Sequence, residues 1–369
     1  MTIRFTKQAA LITAVLLACT HQAQATFYSF RTLDSLGGTT SGANGINDLG
    51  QVVGFSSPKG DADFRATLWA ETGAVTDLGT VGGSSGIAYA INNAGQIAGV
   101  SATVGRFNHA TLWHGTTVTD LGTLGGWDSA AYAINNAGQV VGSAYLKNGW
   151  DSHAALWSGN TVTDLGTLGG DYSNAESINN AGQIAGTSYT ANNALTLATR
   201  WNGTTATGLS TFWSGGTAIN DAGVVLGRSG DQQILWNGDS TIYLDSLGGT
   251  PLNVYATSTL AWSINNAGQV VGYSHTINHA QHATLWDGNA IVDLNQFLSL
   301  ADINAGWELI EARDINNNGV IVGTANNKFT GAHNAFVLSP SAVPEPDVWL
   351  MTLGGIVLTL VITRRRQSK

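Results

Sequence analysis

The sequence predicts an all-β fold, a seven-bladed β-propeller of four-stranded blades, closed by pairing of an N-terminal strand (27–36) with the last three strands (312–338). Three observations predict it. The phrase Ile-Asn-x-x-Gly recurs, beginning at Ile46, Ile91, Ile134, Ile178, Ile219, Ile264 and Ile315. Its intervals of 45, 43, 44, 41, 45 and 51 residues match the length of one four-stranded blade. The two ends of the repeat region are also complementary, because the chain enters with one strand of a copy and leaves with the other three. A closed ring can join such halves into one composite blade and remove an exposed edge, whereas an open array gains nothing from them.

Each element follows from its residues. Strand A is the Ala-x-x-Ile-Asn segment, as in Ala131 to Asn135, and the tight turn after it suits Asn bonding the backbone ahead and Gly in the left-handed region. Strand B is a short β-rich run such as Gln139-Val140-Val141-Gly142. Strand C ends in Trp69, Trp113, Trp157, Trp201, Trp236 and Trp286, with Leu338 in that place in the last copy. A Gly-containing turn, as in His114-Gly115-Thr116, then leads to strand D, for example Thr117 to Leu121. Phe27 to Leu36 reads as a strand D whose A, B and C are supplied by Ile315 to Leu338. No stretch between the two termini shows sustained helical periodicity. With 47 Gly, 5 Pro and 11% charged residues in 369, the composition suits many short turns.

Recurrent residues are read as structural. Gly54, Gly99, Gly142, Gly186, Gly227, Gly272 and Gly323 mark one place in strand B where backbone approaches closely. The strand C tryptophans are expected to pack between blades. Asp34, Asp77, Asp120, Asp164, Asp245 and Asp293 recur in strand D, which suits turn-bonding or blade-tying carboxylates, with Gly208 replacing one.

The termini read as addresses. Residues 1–25 carry Arg4 and Lys7, an apolar run from Ala9 to Ala18, and Ala23-Gln24-Ala25, the pattern of a secretory signal peptide cut by signal peptidase. Cys19 after Leu16-Leu17-Ala18 leaves a lipoprotein alternative open. Residues 26–340 are the repeat domain and 341–369 a tail. In that tail Pro344-Glu345-Pro346 precedes an apolar run, Val348 to Thr363, and then Arg364-Arg365-Arg366. The run is short for a membrane-spanning helix, and the arginines belong on the cytoplasmic side. Without the six basic and two acidic residues of these two segments, the body holds 9 basic and 22 acidic residues, net −13. Such a body repels phosphate backbones, so nucleic acid is not an expected partner.

The tail resembles the PEP-CTERM sorting signal. That resemblance implies handling by an exosortase in a Gram-negative bacterium, with passage through the periplasm to the cell surface or extracellular matrix and transient inner-membrane contact; a plain membrane anchor is the alternative. His109-Ala110-Thr111-Leu112-Trp113, Asp120-Leu121-Gly122-Thr123-Leu124-Gly125-Gly126 and the Ile134 to Gly142 phrase together resemble the HAF repeat of predicted extracellular proteins, over nearly all of 27–338. The family usually has Phe where Thr111 stands, and Phe336 keeps that letter. The resemblance implies an exported repeat protein without an assigned activity.

Function is sought where copies differ. The B–C connections vary most (SSPKGDADFR, YLKNGWDS, YTANNALTL, YSHTINHAQ) and share a rim with the D–A connections. That rim carries Phe107, Trp127, Trp150, Tyr172, Tyr189, Trp213, Tyr255 and Trp307, aromatic rings among Asn, Asp and Thr that suit sugar stacking. The expectation is a non-enzymatic surface or matrix protein that binds exopolysaccharide, another glycan or a surface protein. The alternative is a carbohydrate-active propeller enzyme, for which Asp128, Asp171, Glu308 and Glu311 are the candidate carboxylates. No P-loop or His-Glu-x-x-His pattern is present. Cofactors are not expected. His275, His279 and His282 are weak metal candidates, and calcium at Asn47-Asp48 or Asn220-Asp221 competes with simple turn formation.

Overall fold

Alternating β-branched and small residues between Gly-containing turns give strands throughout. A computed structural model describes residues 27–60, 63–147, 149–249 and 258–341. The expected signal peptide and sorting tail lie outside the described residues, as does Tyr255. No helix among the described residues is long and apolar enough to cross a membrane. Ser29–Ser339 forms one compact unit. The other unit, Met1–Tyr28 with Pro340–Lys369, adds only Phe27, Tyr28, Pro340 and Ser341 to the described residues.

The third repeat shows the pattern. Strands Gly125–Ile134, Val140–Leu146, Ser152–Ser158 and Thr161–Asp164 pair antiparallel in chain order. The same A-B-C-D order recurs in the first, second, fourth, fifth and sixth repeats. In the last repeat Trp307–Ile315, Ile321–Asn327 and His333–Ser341 pair in order, and Phe27–Thr32 pairs with the third of them. Leu33 N donates to Ala335 O at 2.8 Å. This arrangement of four-stranded sheets is that of a β-propeller.

The Ile-Asn-x-x-Gly turn does two jobs. Within a repeat, Asn135 Oδ1 accepts from the amides of Ala137 and Gln139, while Gly138 takes φ 77°. Between repeats, Asn135 Nδ2 donates to Asn179 O at 3.1 Å. Equivalent bonds run from Asn47 to Asn92, Asn135, Asn179, Asn220, Asn265 and Asn316, and Asn316 donates back to Asn47 O at 3.0 Å. The next side chain in each turn makes a second cycle: Asp48, Asn93, Asn136, Asn180, Asp221, Asn266 and Asn317 each accept from the amide of the residue before them in that cycle, at 2.8–3.0 Å. A buried donor and acceptor satisfied across each junction fix the spacing of neighbouring sheets.

The core lies between sheets. Val53 and Ala66 of the first repeat pack with Ala88, Ile91, Ile97 and Trp113 of the second. Leu33, Val322, Ala335 and Val337 pack with Ala43, Ile46, Val52 and Trp69, joining last repeat to first. The strand C tryptophans sit in these clusters as the sequence reading expected. Trp69, Trp113 and Trp286 also donate their indole N–H to the backbone carbonyls of Asp34, Gly79 and Asp245, just after the last strand of the preceding sheet. The Nε1 atoms of Trp157 and Trp201 find no partner among the described residues.

Three expectations need adjusting. The N-terminal strand stops at Thr32 rather than at 36, because Leu36 turns away to bridge Pro58. The last three strands start at Trp307 rather than at 312, so Trp307 to Glu311 extend strand A. Before it lies a helix, Leu300–Asn304, which the periodicity did not show. It is nucleated by a capping box in which Ser299 and Asp302 satisfy each other's backbone amides, and at five residues it is too short to print a period.

Candidate functional site

Strand A carries a β-bulge in every repeat. In the third repeat Ala131 pairs with Gly142 and Ala133 with Val141, so Tyr132 has no partner of its own. The same register shift isolates Asn44, Tyr89, Glu176, Thr217, Trp262 and Arg313. A bulge re-aims the extra side chain. All seven of these side chains line one pocket of about 1100 Å³. The bulge is permitted by the strand B glycine opposite, since a Cβ on Gly142 would lie 1.9 Å from Ala130 O. The close approach read from the sequence is therefore strand A's carbonyl at the bulge.

The pocket floor is chemically uneven. Tyr89 and Tyr132 meet edge-on with centroids 5.8 Å apart. Arg313 lies over the Trp262 ring at 4.5 Å. Glu311 ties both, accepting from Trp262 Nε1 at 2.7 Å and from Arg313 Nε at 3.0 Å. Glu176 accepts from Asn174 Nδ2 at 2.5 Å. Desolvation pushes its carboxyl up to about 7 against that hydrogen bond. Desolvation likewise raises the Tyr89 and Tyr132 phenols.

The fifth repeat opens the wall. Its strand A, Ser214–Ile219, is six residues, whereas Gly125–Ile134 and Gly169–Ile178 have ten. Trp213, Gly215, Gly216, Arg228 and Asp231 of this repeat all line the pocket. The copy that follows Gly208, where the strand D aspartate is replaced, thus shapes the cavity.

The rim aromatics divide into groups. Trp127 packs on Tyr145 at 5.4 Å and edge-on to Trp150 at 6.3 Å. Tyr172 and Tyr189 are 5.2 Å apart, and desolvation pushes the Tyr172 phenol up to about 12. Tyr189 and Trp213 line the central pocket. Phe107 is exposed on its turn, and Trp307 is half-buried against Phe30. Trp127, Tyr172 and Trp307 belong to strand A and Tyr189 to strand B, not to connecting loops, because strand A begins at the Gly-Gly pair in repeats such as the third and fourth.

Other candidates are engaged in tying sheets together. His282 Nδ1 contacts Asp293 at 2.6 Å and its Nε2 lies 3.3 Å from Glu308. His275 is buried against Ser258 O and Tyr273, and His279 holds a left-handed turn at φ 64°. Among the described residues no group of three or more His, Cys, Asp or Glu side chains could hold a metal ion. His109, His153 and Arg65 reach Asp120, Asp164 and Asp77 as His282 reaches Asp293. Asp77, Asp120, Asp164 and Asp293 thus tie strand C to strand D and accept from an amide of the next turn, as Gly122 N to Asp120 shows at 2.8 Å.

At the calcium candidates, Asp48 and Asp221 accept from flanking asparagines. Desolvation opposes ionisation there, but the donated hydrogen bonds outweigh it and both carboxyls are lowered. Of the candidate catalytic carboxylates, Asp128 accepts from Asn108 N, Asp171 pairs with Asn193, Glu308 with Lys328, and Glu311 with Arg313. Gly82 to Gly86 spells Gly-x-Ser-x-Gly, yet Ser84 lies within a strand and donates to Asp63, so it is not presented on a strand-to-helix turn.

The Asp293 hydrogen bond, then Coulomb attraction to Asp293 and Glu308, raise His282 against desolvation. A raised histidine stabilises fully below its unfolded pKa and loses that contribution as pH rises through the folded value. His282→Ala is therefore expected to cost about 1 kcal/mol near pH 5.5 and less near pH 9. Urea unfolding at both pH values checks it, and an equal cost at both refutes the charged pair.

The sequence signal for the floor lay two residues before each repeat isoleucine. That position reads Asn, Tyr, Tyr, Glu, Thr, Trp and Arg, between neighbours that stay small in nearly every copy.

No protein-family model matches the chain, and no curated protein matches it. Among solved structures, similarity is found to TolB from Acinetobacter baumannii, 11% identical, covering 79% of this chain and 80% of that one with TM-score 0.40. A gluconolactonase from Xanthomonas campestris is 8% identical, covering 87% and 94% with TM-score 0.38. A lectin from Aleuria aurantia bound to α-methyl-L-fucoside is 10% identical, covering 86% and 99% with TM-score 0.36. Scores of this size establish no shared activity.

Proposed function

We propose that Ser29–Ser339 is a seven-bladed β-propeller that binds carbohydrate in its central pocket, one ligand site per chain. The two asparagine hydrogen-bond cycles support the blade count and the closure. The pocket itself carries the binding reading. Seven bulge side chains line it, together with Tyr189 and the exposed Trp213. Rings offering a flat apolar face beside hydroxyl, amide and carboxyl groups match the two surfaces of a sugar. We further propose that the chain is exported and sorted through its terminal segments, on the sequence patterns given above.

Glycan-array screening followed by calorimetry tests the binding. Trp213→Ala is expected to weaken the bound glycan about tenfold, the loss of one ring contact. Its indole is 59% exposed, so melting temperature should hardly move. Unchanged affinity in this variant would remove the pocket from the reading.

Glu176 supports a second reading, turnover of the bound sugar. A carboxyl pushed up to about 7 can act as general acid or base near neutral pH. An assay for new reducing ends on any glycan that binds separates the two readings. Release abolished by Glu176→Gln establishes an enzyme, and no release leaves a binding module.

A further inference from the structure

Two arginines of a body with net charge −13 point into one pocket. Arg228 stands on strand B of the fifth repeat, in register with Gly215. The residue is exposed, and its guanidinium makes no ion pair or hydrogen bond with a described residue. Beside it the lining side chains are small. Gly215-Gly216-Thr217 occupies positions that are Asn174-Ala175-Glu176 one repeat earlier and Leu260-Ala261-Trp262 one repeat later. Arg313 comes from the last repeat, its Nε on Glu311 and its plane on Trp262, so its orientation is fixed by two contacts.

A guanidinium facing open space beside a stacking ring is complementary to a planar anion joined to an apolar face. Paired N–H donors match a carboxylate in geometry as well as charge. Trp213, immediately before Ser214 and Gly215, supplies the ring. We infer that the pocket selects a sugar bearing a carboxylate, a uronate, seated on the Gly215-Gly216 wall with its carboxylate against Arg228. This rests on the carbohydrate reading above. Charges of the acidic body farther than about 8 Å from the ligand are screened at physiological salt, which leaves Asp231 and Glu176 of the pocket lining as the carboxylates that oppose it.

The test uses the full chain and two probes of one skeleton, trigalacturonate and its methyl ester, titrated calorimetrically at about pH 5.5, where Glu176 is protonated, and about 0.15 M salt. Wild type is expected to bind the acid about tenfold more tightly than the ester. Arg228→Gln should abolish that preference by weakening the acid far more than the ester, and the ester binding that remains shows that the pocket is folded. Arg228→Lys should restore part of it.

An unchanged acid-to-ester ratio in Arg228→Gln, or a wild type that binds both equally, overturns the uronate assignment and leaves carbohydrate binding standing. Failure of both probes and of every arrayed glycan overturns both. Binding of a polyglutamate peptide in their place, lost in Arg228→Gln, assigns the arginine to an acidic protein segment and overturns the assignment as well.

Discussion

Gly142→Ala is expected to lower stability by about 3–5 kcal/mol and the melting temperature by roughly 10 °C. An alanine Cβ there would lie 1.9 Å from Ala130 O and 3.0 Å from Ala131 Cα. Both contacts are backbone atoms, so no rotamer change can relieve them. The Ala130 carbonyl is displaced toward strand B because Tyr132 occupies the extra place in strand A. Relief thus requires either separating two paired strands or flattening the bulge, and flattening would withdraw Tyr132 from the pocket floor.

The equivalent position in the sixth repeat, Gly272, meets Leu260 O at 1.9 Å and should respond alike. Gly138→Ala is the control. That residue strains at φ 77° and meets only the end of a flexible glutamine, so about 1 kcal/mol is expected. Thermal and urea unfolding of the three variants decides the matter. A loss below about 1 kcal/mol for Gly142→Ala would show that the bulge is soft.

Much of this was legible because a repeat states its constraints several times over. Asn135 and Gly138 announced a turn, Gly142 a close approach and Trp157 a buried seam, and each has that role. Less was legible where one letter serves two purposes. The turn asparagine satisfies its own loop with Oδ1 and the next sheet with Nδ2, and only the first job can be inferred locally. The bulge was hidden for another reason. An extra residue does not alter the spacing between repeats when every copy contains it, so Ala-x-x-Ile-Asn read as an ordinary strand.

Length varies visibly in the B–C connections, whereas at Tyr132 and its counterparts only the chemistry varies, which makes the first the more legible signal. Trp127 and Tyr172 lie within strand A, although the Gly-Gly pairs before them look like turns. At Gly125 the chain has φ 98° and enters the strand directly.

Replacing Glu176 by Gln is expected to stabilise the unliganded protein at alkaline pH and leave it unchanged in acid. Its folded carboxyl sits near 7 because burial strips solvent from the charged form. A carboxyl raised above its unfolded value binds more protons in the native state, so stability is greatest below the unfolded pKa and declines as pH rises through the folded one. The native state therefore carries a penalty above about pH 7 that Gln removes, about 2 kcal/mol once the residual solvent contact of a half-buried side chain is allowed for. Asp314, raised by burial against hydrogen bonds from Ser263, Ile46 and Ile315, contributes with the same sign, so wild type alone cannot isolate the effect and the variant is required.

The other titratable groups around Glu176 are Tyr89, Tyr132, Tyr189, Arg228, Asp231 and Arg313 on the pocket wall, with Tyr172 close by. The Tyr89, Tyr132 and Tyr172 phenols are raised and stay neutral across this range. A ligand carboxylate entering the same pocket at about 7 Å would repel ionised Glu176 by about 2 kcal/mol at an effective dielectric near 20. Uronate affinity should consequently rise about thirtyfold from about pH 8.5 to about pH 5.5, with uptake of a proton, while the methyl ester should change little. Glu176→Gln should bind the acid at both pH values with the strength wild type reaches only in acid. Flat stability and flat affinity across that range would mean that Glu176 ionises as an ordinary surface carboxylate and does not tune the pocket.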